Sequence, residues 1–250
     1  MTRLAIFNGG PSMRDPNVRR FAGWTHILDL MAQGLEQEGY RVAVPQLPVE
    51  MLDEQTTVSK EASWDLACCV AMAAGKLPAK DVDLYLGVPG YSVGQLSLLK
   101  SLGRAKLLTY VWNNADPFRD QQVAPERERF GIPYDRSPAW RWMNHAALEM
   151  SDAVIACSPH VKMTHARLVS PDKIKIAQWG VDSSRFTPDW EWQQAHPRPL
   201  RVLYSGGDPV RKGLLYLLEA MHEQADMELY TIGVQPEIFD QLYGRFGFKV

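Results

Sequence analysis

Residues 82–114 read VDLYLGVPGYSVGQLSLLKSLGRAKLLTYVWNN, and this stretch decides the fold class. Its two ends, residues 82–88 and 106–112, are short apolar runs that each predict a β-strand. Between them, residues 93–102 have the apolar spacing of a helix, and Gly103 follows where a helix C-terminus favours glycine. Two strands joined by a helix are typical of the βαβ unit, in which the strands lie parallel.

The alternation of strand and helix continues on both sides of this stretch. Residues 115–137 are rich in proline and charge, and we expect them to form a long loop with a functional role. The alternation predicts an α/β protein with a doubly wound parallel sheet. Further strands are predicted at residues 4–7, 40–44, 152–157 and 173–178, and further helices at residues 24–38, 58–76, 139–150 and 159–168.

A second, shorter series begins after a proline- and tryptophan-rich connection at residues 187–199. Because so few elements cannot close a core of their own, we predict a first domain at residues 1–190 and an incomplete second domain at residues 198–250. The elements predicted in this series are a strand at 200–204, a helix at 212–224, a strand at 227–232 and a helix at 236–243.

Composition and charge exclude several classes of protein. Of the 250 residues, 46% are hydrophobic and 22% are charged, which is usual for a globular protein and unusual for a disordered one. Lys and Arg number 27 against 29 Asp and Glu, and this balance argues against a nucleic acid partner. The 3 cysteines favour a reduced, cytoplasmic setting over a disulfide framework. No apolar run reaches the ~18 residues of a membrane span, which leaves a peripheral membrane contact and self-association open.

The carboxyl ends of the predicted strands are where a parallel sheet binds its ligands. In this chain those ends carry small and polar residues, and we expect the functional site among them. They are residues 8–10 (Asn-Gly-Gly), 88–90 (Val-Pro-Gly), 113–114 (Asn-Asn), Ser158 and Gly180.

The loop at residues 205–213, SGGDPVRKG, carries the strongest chemical signal in the sequence. Its glycines let backbone N–H groups approach a phosphate, and a helix beginning near Lys212 adds its positive end. Arg211 and Lys212 supply the cations that a diphosphate requires. The residues alone leave a plain strand-to-helix turn with solvated basic side chains equally open.

Several other catalytic motifs are absent from the sequence. It contains no GxGxxG or GxxxxGK[ST], and no HExxH or CxxC spacing, so we predict no metal site. His26 lies near the start of the first predicted helix, although a lone helix histidine is more often a packing or surface residue. The tryptophans, taken singly, are expected to be core or domain-interface residues.

Three segments resemble the retaining, nucleotide-sugar-dependent glycosyltransferases with the GT-B architecture (glycosyl transferases group 1, family 4 type). Residues 9–44 are similar to that family's glycine loop, first helix and second strand. Residues 151–188 are similar to its fifth strand and the passage Asn-Gly-Val-Asp followed by Phe-x-Pro, which reads WGVDSSRFTP here. Residues 205–220 resemble the phosphate-binding start of its donor domain. The resemblance implies a GT-B-like fold, with an acceptor-side first domain and a donor-binding second one.

For the donor, the resemblance implies that Lys212 holds the diphosphate and that Gly206 and Gly207 let it approach the backbone. Many relatives have an arginine where this chain has Gly207, so Arg211 would replace it. The family's Glu-x7-Glu segment would follow Val250, and we therefore expect an incomplete donor pocket and weak transfer.

For the acceptor and the reacting sugar, the resemblance implies roles for the first domain. Gly9 and Gly10 would let the donor phosphate or the acceptor approach the first loop. Asn113 or Asn114 stands where many relatives have a catalytic histidine, and His26 is a third catalytic candidate. The implied reaction transfers a sugar from a nucleoside diphosphate sugar, the donor substrate, to a hydroxyl acceptor with retention and needs no further cofactor.

Two other interpretations stay open at this point. One is a non-catalytic scaffold or binding module that descends from a glycosyltransferase. The other is a different α/β enzyme, such as a sugar-nucleotide epimerase, against which the missing GxGxxG argues.

Overall fold

The fold consists of two parallel sheets with helices packed against them. The structure, a computed structural model, describes residues 3–8, 22–45, 57–134, 137–180, 200–222, 224 and 227–233. The strands are β1 (Arg3–Asn8), β2 (Tyr40–Ala43), β3 (Leu84–Gly87), β4 (Lys106–Val111), β5 (Ala153–Ala156), β6 (Ile174–Ile176), β7 (Leu200–Ser205) and β8 (Met227–Ile232). The helices are α1 (Ala22–Gln37), α2 (Thr57–Ala73), α3 (Val93–Leu102), α4 (Asp116–Arg129), α5 (Pro138–Met150), α6 (Pro159–His165) and α7 (Leu214–Met221).

The first six strands form one sheet in the order β2-β1-β3-β4-β5-β6, and every neighbouring pair is parallel. Successive residues of β1 face opposite sides of this sheet, as strand geometry requires. Ile6 packs with Leu96 and Leu99 of α3, while Phe7 packs with Ala32 of α1. Helices therefore cover both faces, which confirms the predicted doubly wound α/β class.

The described residues divide into two compact units. Unit 1 comprises residues 1–119 and 135–180, and unit 2 comprises residues 120–134 and 181–250. In unit 2, β7 and β8 pair in parallel, and their core contains side chains from α4 and α7. These core residues are Val123, Phe130, Tyr204, Val210, Leu214, Leu215 and Leu218.

The structure differs from the sequence prediction along residues 115–137, where a long loop was predicted. Most of this segment is α4, which carries Asp116 in its first turn and Pro125 inside the helix. The sequence of α4 shows no apolar helical spacing, because only one of its side chains, Val123, is buried and the others are mostly polar. The last part of α4 packs in unit 2 although it precedes residue 190. The predicted domain limits at 190 and 198 lie outside the described residues and stay predictions.

The helix predicted at 212–224 is shorter in the structure and begins at Leu214. Gly213 has a φ of 75°, a left-handed conformation that a helix interior excludes. The helix predicted at 236–243 lies outside the described residues. Among the residues that the structure describes, no helix is both long and apolar enough to cross a membrane.

A buried polar network joins the carboxyl end of β1 to the loop that follows β3. The Asn8 side chain is fully buried, and its Nδ2 donates to the Tyr91 carbonyl oxygen at 2.8 Å and to the Tyr85 hydroxyl at 3.3 Å. The indole Nε1–H of Trp64, on α2, donates to Asn8 Oδ1 at 3.0 Å. One amide therefore holds α2, β1 and the β3–α3 loop together.

A second side chain on α2 fixes the start of α3. The Asp65 carboxylate accepts the backbone N–H of Gly94 at 2.6 Å and that of Gln95 at 3.2 Å. These N–H groups belong to the first turn of α3, where a negative charge is favourable. The end of the β3–α3 loop that leads into α3 is thus held by Asn8 of β1 and by Asp65 of α2.

The Asn8→Ala variant is expected to lower the free energy of unfolding of unit 1 by about 2 kcal/mol, because it leaves the buried Trp64 indole donor without its acceptor and removes one of the two donors to the Tyr91 carbonyl oxygen. The measurement is urea denaturation followed by tryptophan fluorescence and circular dichroism.

Trp64→Phe removes only one donor and should cost less than Asn8→Ala. Ser97→Ala, a change at an exposed position of α3, serves as the control. An Asn8→Ala variant as stable as this control would contradict the role given to the network.

Candidate functional site

A cavity of about 490 Å³ lies in unit 1, at the carboxyl ends of β3 and β4. This volume falls in the range of small-molecule sites, about 300–1,000 Å³. The strand ends contribute Pro89, Tyr91 and residues 110–114, and the remaining walls come from α2, the first turn of α4, α5 and the end of α6. The cavity therefore lies where the topology of a parallel sheet predicts a ligand site.

Aromatic rings form much of the cavity wall, and they come from three parts of the chain. These rings are Tyr91, Tyr110, Trp112, Trp140 and Trp142. Burial raises the pKa of the Tyr110 hydroxyl, so this ring remains neutral. Trp112 and Trp140 are half-buried and Trp142 is exposed, and the predicted core or domain-interface role of these three stays a prediction.

The ring of Trp140 is positioned by direct contact with Gly90. Gly90 has a φ of 86°, and a Cβ built on it would lie 2.5 Å from Cζ3 of Trp140. The glycine therefore supplies both a left-handed turn and the room that the indole needs. This contact fixes one wall of the cavity on the loop held by Asn8.

A carboxylate and an amide meet at the cavity wall. The Asn144 Nδ2–H donates to Asp116 Oδ2 at 2.7 Å, and both residues line the cavity. Because an ionised carboxylate only accepts hydrogen bonds, this contact orients the amide and directs Oδ1 to the other side. Asn144 Oδ1 is buried and accepts no hydrogen bond from a described residue.

Glu61 and His165 add two further polar side chains to the lining. Glu61 is buried, and its carboxylate accepts a hydrogen bond from the Tyr91 hydroxyl. His165 Nδ1 lies 2.9 Å from the Val161 carbonyl oxygen, which requires a proton on Nδ1 and leaves Nε2 as an acceptor. Burial lowers the pKa of His165, although the Val161 carbonyl and Asp116 oppose this shift.

Of the residues predicted in the first domain, the structure brings two to the cavity. Asn113 and Asn114 follow β4 and line it, with Asn113 the more exposed. His26 lies in α1, but its side chain is outside the described residues, as are Gly9 and Gly10. Their roles stay predictions.

Contacts are observed at two other predicted strand ends in unit 1, those near Ser158 and Gly180. The Ser158 hydroxyl accepts the Val161 N–H at 3.2 Å and caps α6. Beyond β6, the Trp179 ring stacks on Tyr110 and donates its indole N–H to the Tyr110 hydroxyl.

In unit 2, the glycine loop connects β7 to α7 through a turn. A Cβ on Gly206 would lie 2.9 Å from Cγ of Lys212, so the glycine makes room for the lysine stem. Gly207 lies close to the Gly233 carbonyl oxygen, 3.2 Å from where its Cβ would be. The fold thus places Gly206 beside Lys212, and the Lys212 residue is exposed.

The Asp208 carboxylate organises the same loop. It accepts the Arg211 N–H at 3.2 Å, and its oxygens lie 3.7 Å from Arg211 Nε and 3.3 Å from Arg127 Nη2. Arg127 belongs to α4, far away in sequence. The two guanidinium groups offset the negative charge that would otherwise repel a phosphate.

Several backbone N–H groups of this loop already have partners. Lys212 N–H donates to the Asp208 carbonyl oxygen at 3.0 Å, and Leu214 N–H donates to that of Pro209 at 2.8 Å. The N–H groups of Gly207 and Asp208 donate to no described residue. An anion at this loop would therefore meet the N–H groups of Gly207 and Asp208 and the Lys212 side chain.

Comparisons with known proteins establish the fold. No family model matches the chain, and no curated protein sequence matches it. Among solved structures, the chain is similar to a sucrose-phosphate synthase from Thermosynechococcus elongatus, with a TM-score of 0.66 and 17% identity over 98% of this chain and 68% of that one. The chain has a glycosyltransferase fold.

Two further structures are similar at lower scores. HepE from Anabaena in complex with UDP has a TM-score of 0.51 and 12% identity, over 98% of this chain and 66% of that one. MnaA from S. aureus with UDP has a TM-score of 0.50 and 9% identity, over 98% and 65%. The chain spans about two thirds of the length of these proteins, and the likeness confirms the GT-B-like fold class.

The sequence pattern pointed to few of the cavity residues of this glycosyltransferase fold. Asp116 and Arg119 were placed in a loop, and Asn144, His145 and His165 were not singled out. The signal that was available is the spacing of Trp140, Asn144 and Leu148, which recurs every four residues and therefore follows one side of α5.

Gly90→Ala is expected to destabilise the protein by about 1–2 kcal/mol for the left-handed conformation and also to displace the Trp140 ring. The measurement is urea denaturation together with the indole N–H resonance of Trp140. Gly103→Ala is the matched control, because Gly103 has a φ of 69° and nothing within 4 Å of its Cβ position. An unmoved Trp140 resonance would contradict the contact.

Stability should depend on pH through His165. Because its folded pKa lies below the unfolded value of about 6.5, the folded state binds fewer protons between the two values, and the free energy of unfolding falls as pH drops through that window.

His165→Gln should remove this contribution, whereas His160→Gln, at an exposed position, should retain it. The measurement is the urea midpoint at pH 7.5 and at pH 5.5. Equal pH dependence in the three proteins would show that His165 is not buried in its neutral form.

Proposed function

We propose that this protein transfers a sugar from a nucleoside diphosphate sugar to a hydroxyl acceptor, with retention of the anomeric configuration. The observation that carries the proposal is the loop of unit 2, where Lys212 packs against Gly206 and two N–H groups have no described partner. Three proteins of similar fold support it: HepE and MnaA, whose structures contain UDP, and a sucrose-phosphate synthase.

The chemical demand of this reaction is to stabilise the negative charge that grows on the leaving diphosphate. Lys212 contributes an ammonium group, and the N–H groups of Gly207 and Asp208 contribute hydrogen bonds at fixed positions. Arg211 and Arg127 neutralise Asp208 and so keep the loop receptive to an anion. Arg211 is paired with Asp208 through its side chain, and its direct contact with the phosphates stays a prediction.

Unit 1 supplies the acceptor site in this proposal. Its cavity has hydrogen-bonding groups that a hydroxyl can reach, with Asn113 and Asn114 at the end of β4. These two amides would hydrogen-bond to the transferred sugar or to the attacking hydroxyl. His26, Gly9 and Gly10 are further candidates for binding the substrates.

Calorimetry of the full chain with UDP, GDP and ADP tests the donor half of this proposal. We expect one of them to bind with a micromolar Kd, and Lys212→Ala to weaken it about tenfold or more, since a charge-assisted hydrogen bond contributes about 1.5–3 kcal/mol. Lys212→Arg should retain part of the affinity. Lys175→Ala, at an exposed position of unit 1, is the control.

Binding of none of the three nucleotides would overturn the proposal in favour of a non-catalytic scaffold. Equal affinity in Lys212→Ala and the wild type would show that the phosphates lie elsewhere. With the matching nucleotide sugar and an acceptor, NMR of the anomeric carbon then distinguishes retention from inversion.

A further inference from the structure

The chemical composition of the unit 1 cavity restricts what can fill it. Of the nineteen lining residues, fourteen have a side chain with a hydrogen-bonding atom or an aromatic N–H or O–H. Its walls therefore offer aromatic faces together with many hydrogen-bonding groups, so a well-matched ligand has both apolar faces and polar groups. Only five lining side chains are wholly aliphatic, namely Pro89, Val111, Pro117, Leu148 and Leu168.

Aromatic faces mixed with hydrogen-bonding groups suit a ligand with apolar faces and a polar rim. A hydroxylated saturated ring has this character, because its C–H bonds point to the two faces and its hydroxyl groups lie around the edge. Such a ring stacks on an indole and hydrogen-bonds sideways. Trp140, held by Gly90, and Trp142 provide the indoles.

The exposure of Trp142 supports a role in binding. Its side chain lines the cavity and is 65% exposed, so an indole that could have been buried instead faces solvent. An aromatic face at the edge of the cavity is open to a ligand that enters it. Because it is so exposed, Trp142 can also be replaced at little cost to the fold.

The formal charges around the cavity are balanced. Arg119 and Arg141 contribute two positive charges, and Glu61 and Asp116 contribute two negative ones. Burial keeps His165 neutral near pH 7. A site for a phosphorylated or acidic ligand is expected to carry more positive than negative side chains. This cavity has no such excess of positive charge.

The hydrogen-bonding group with the clearest role is Asn144. Its amide nitrogen is engaged by Asp116 at 2.7 Å, so the orientation of Oδ1 is determined, and this oxygen accepts no hydrogen bond from a described residue. Leaving a buried acceptor unpaired costs free energy. A ligand hydroxyl that donates to Oδ1 would remove that cost.

We propose that the unit 1 cavity binds a neutral hydroxylated ring, a monosaccharide or cyclic polyol, that stacks on Trp142 and donates a hydroxyl hydrogen to Asn144 Oδ1. That this ring is the acceptor rests on the proposed function. Trp142 and Asn144 are then specificity-determining residues.

The test uses the full chain and saturation-transfer NMR, with and without the nucleotide that binds best. The probes are D-glucose, D-mannose and myo-inositol as neutral rings, glucose 6-phosphate as a charged one, and 4-nitrophenol as an apolar one. We expect at least one neutral ring to bind more tightly than the charged and apolar probes. Its Kd should rise about tenfold in Trp142→Ala, and less in Trp142→Phe, which retains an aromatic face.

Leu66→Ala is the matched control, because Leu66 is also 65% exposed but lies on α2 away from the cavity lining. It should bind the ring like the wild type. Thermal denaturation of all variants checks that each remains folded.

Three results would overturn this inference: no neutral ring binds under either condition, the charged or apolar probe binds best, or Trp142→Ala binds as tightly as Leu66→Ala. The Kd for the nucleoside diphosphate, measured in the same samples, separates the two proposals. Nucleotide binding without ring binding overturns only this inference. Ring binding that depends on Trp142, without nucleotide binding, upholds the site and overturns the proposed function.

Discussion

The hydrogen bonds of Asn8 are the constraint on which the unit 1 site depends. A single buried amide at the end of β1 fixes the Tyr91 carbonyl and the Trp64 indole, and with them the β3–α3 loop and α2. Gly90 lies in that loop and supports Trp140, while α2 carries Glu61. The cavity walls are therefore held by a network that reaches into the centre of the sheet, where amide hydrogen bonds are most costly to lose.

In unit 2, the loop between β7 and α7 is organised by charged side chains around Asp208. Asp208, a carboxylate in a loop that we propose binds an anion, would be unfavourable there if it were alone. Arg211 and Arg127 share it, and Arg127 comes from α4, which also contributes Val123 and Phe130 to the core of unit 2. The charge of the loop thus depends on a helix about eighty residues earlier in the chain, which links the packing of α4 to the chemistry of the loop.

The sheet and most of its helices could be predicted because their signals are local: apolar runs of strand length, helical spacing, and glycines such as Gly103 at helix ends. Helix α4 could not, since a polar segment with Pro125 has no apolar stripe and is held by tertiary contacts. The position of Asn113 and Asn114 after β4 correctly predicted where the cavity lies. Trp140, Trp142 and Asn144 lie on α5. Asp116 lies on α4, and only the packing of these two helices brings it to Asn144.

The most direct test of the account is a crystal structure of the full chain with the nucleoside diphosphate that binds best. If the loop after β7 is the donor site, the diphosphate oxygens will lie within hydrogen-bond distance of the Gly207 and Asp208 N–H groups and of Lys212 Nζ. The unit 1 cavity will contain no nucleotide. A diphosphate bound in that cavity, or one that makes no contact with the loop after β7, would contradict it.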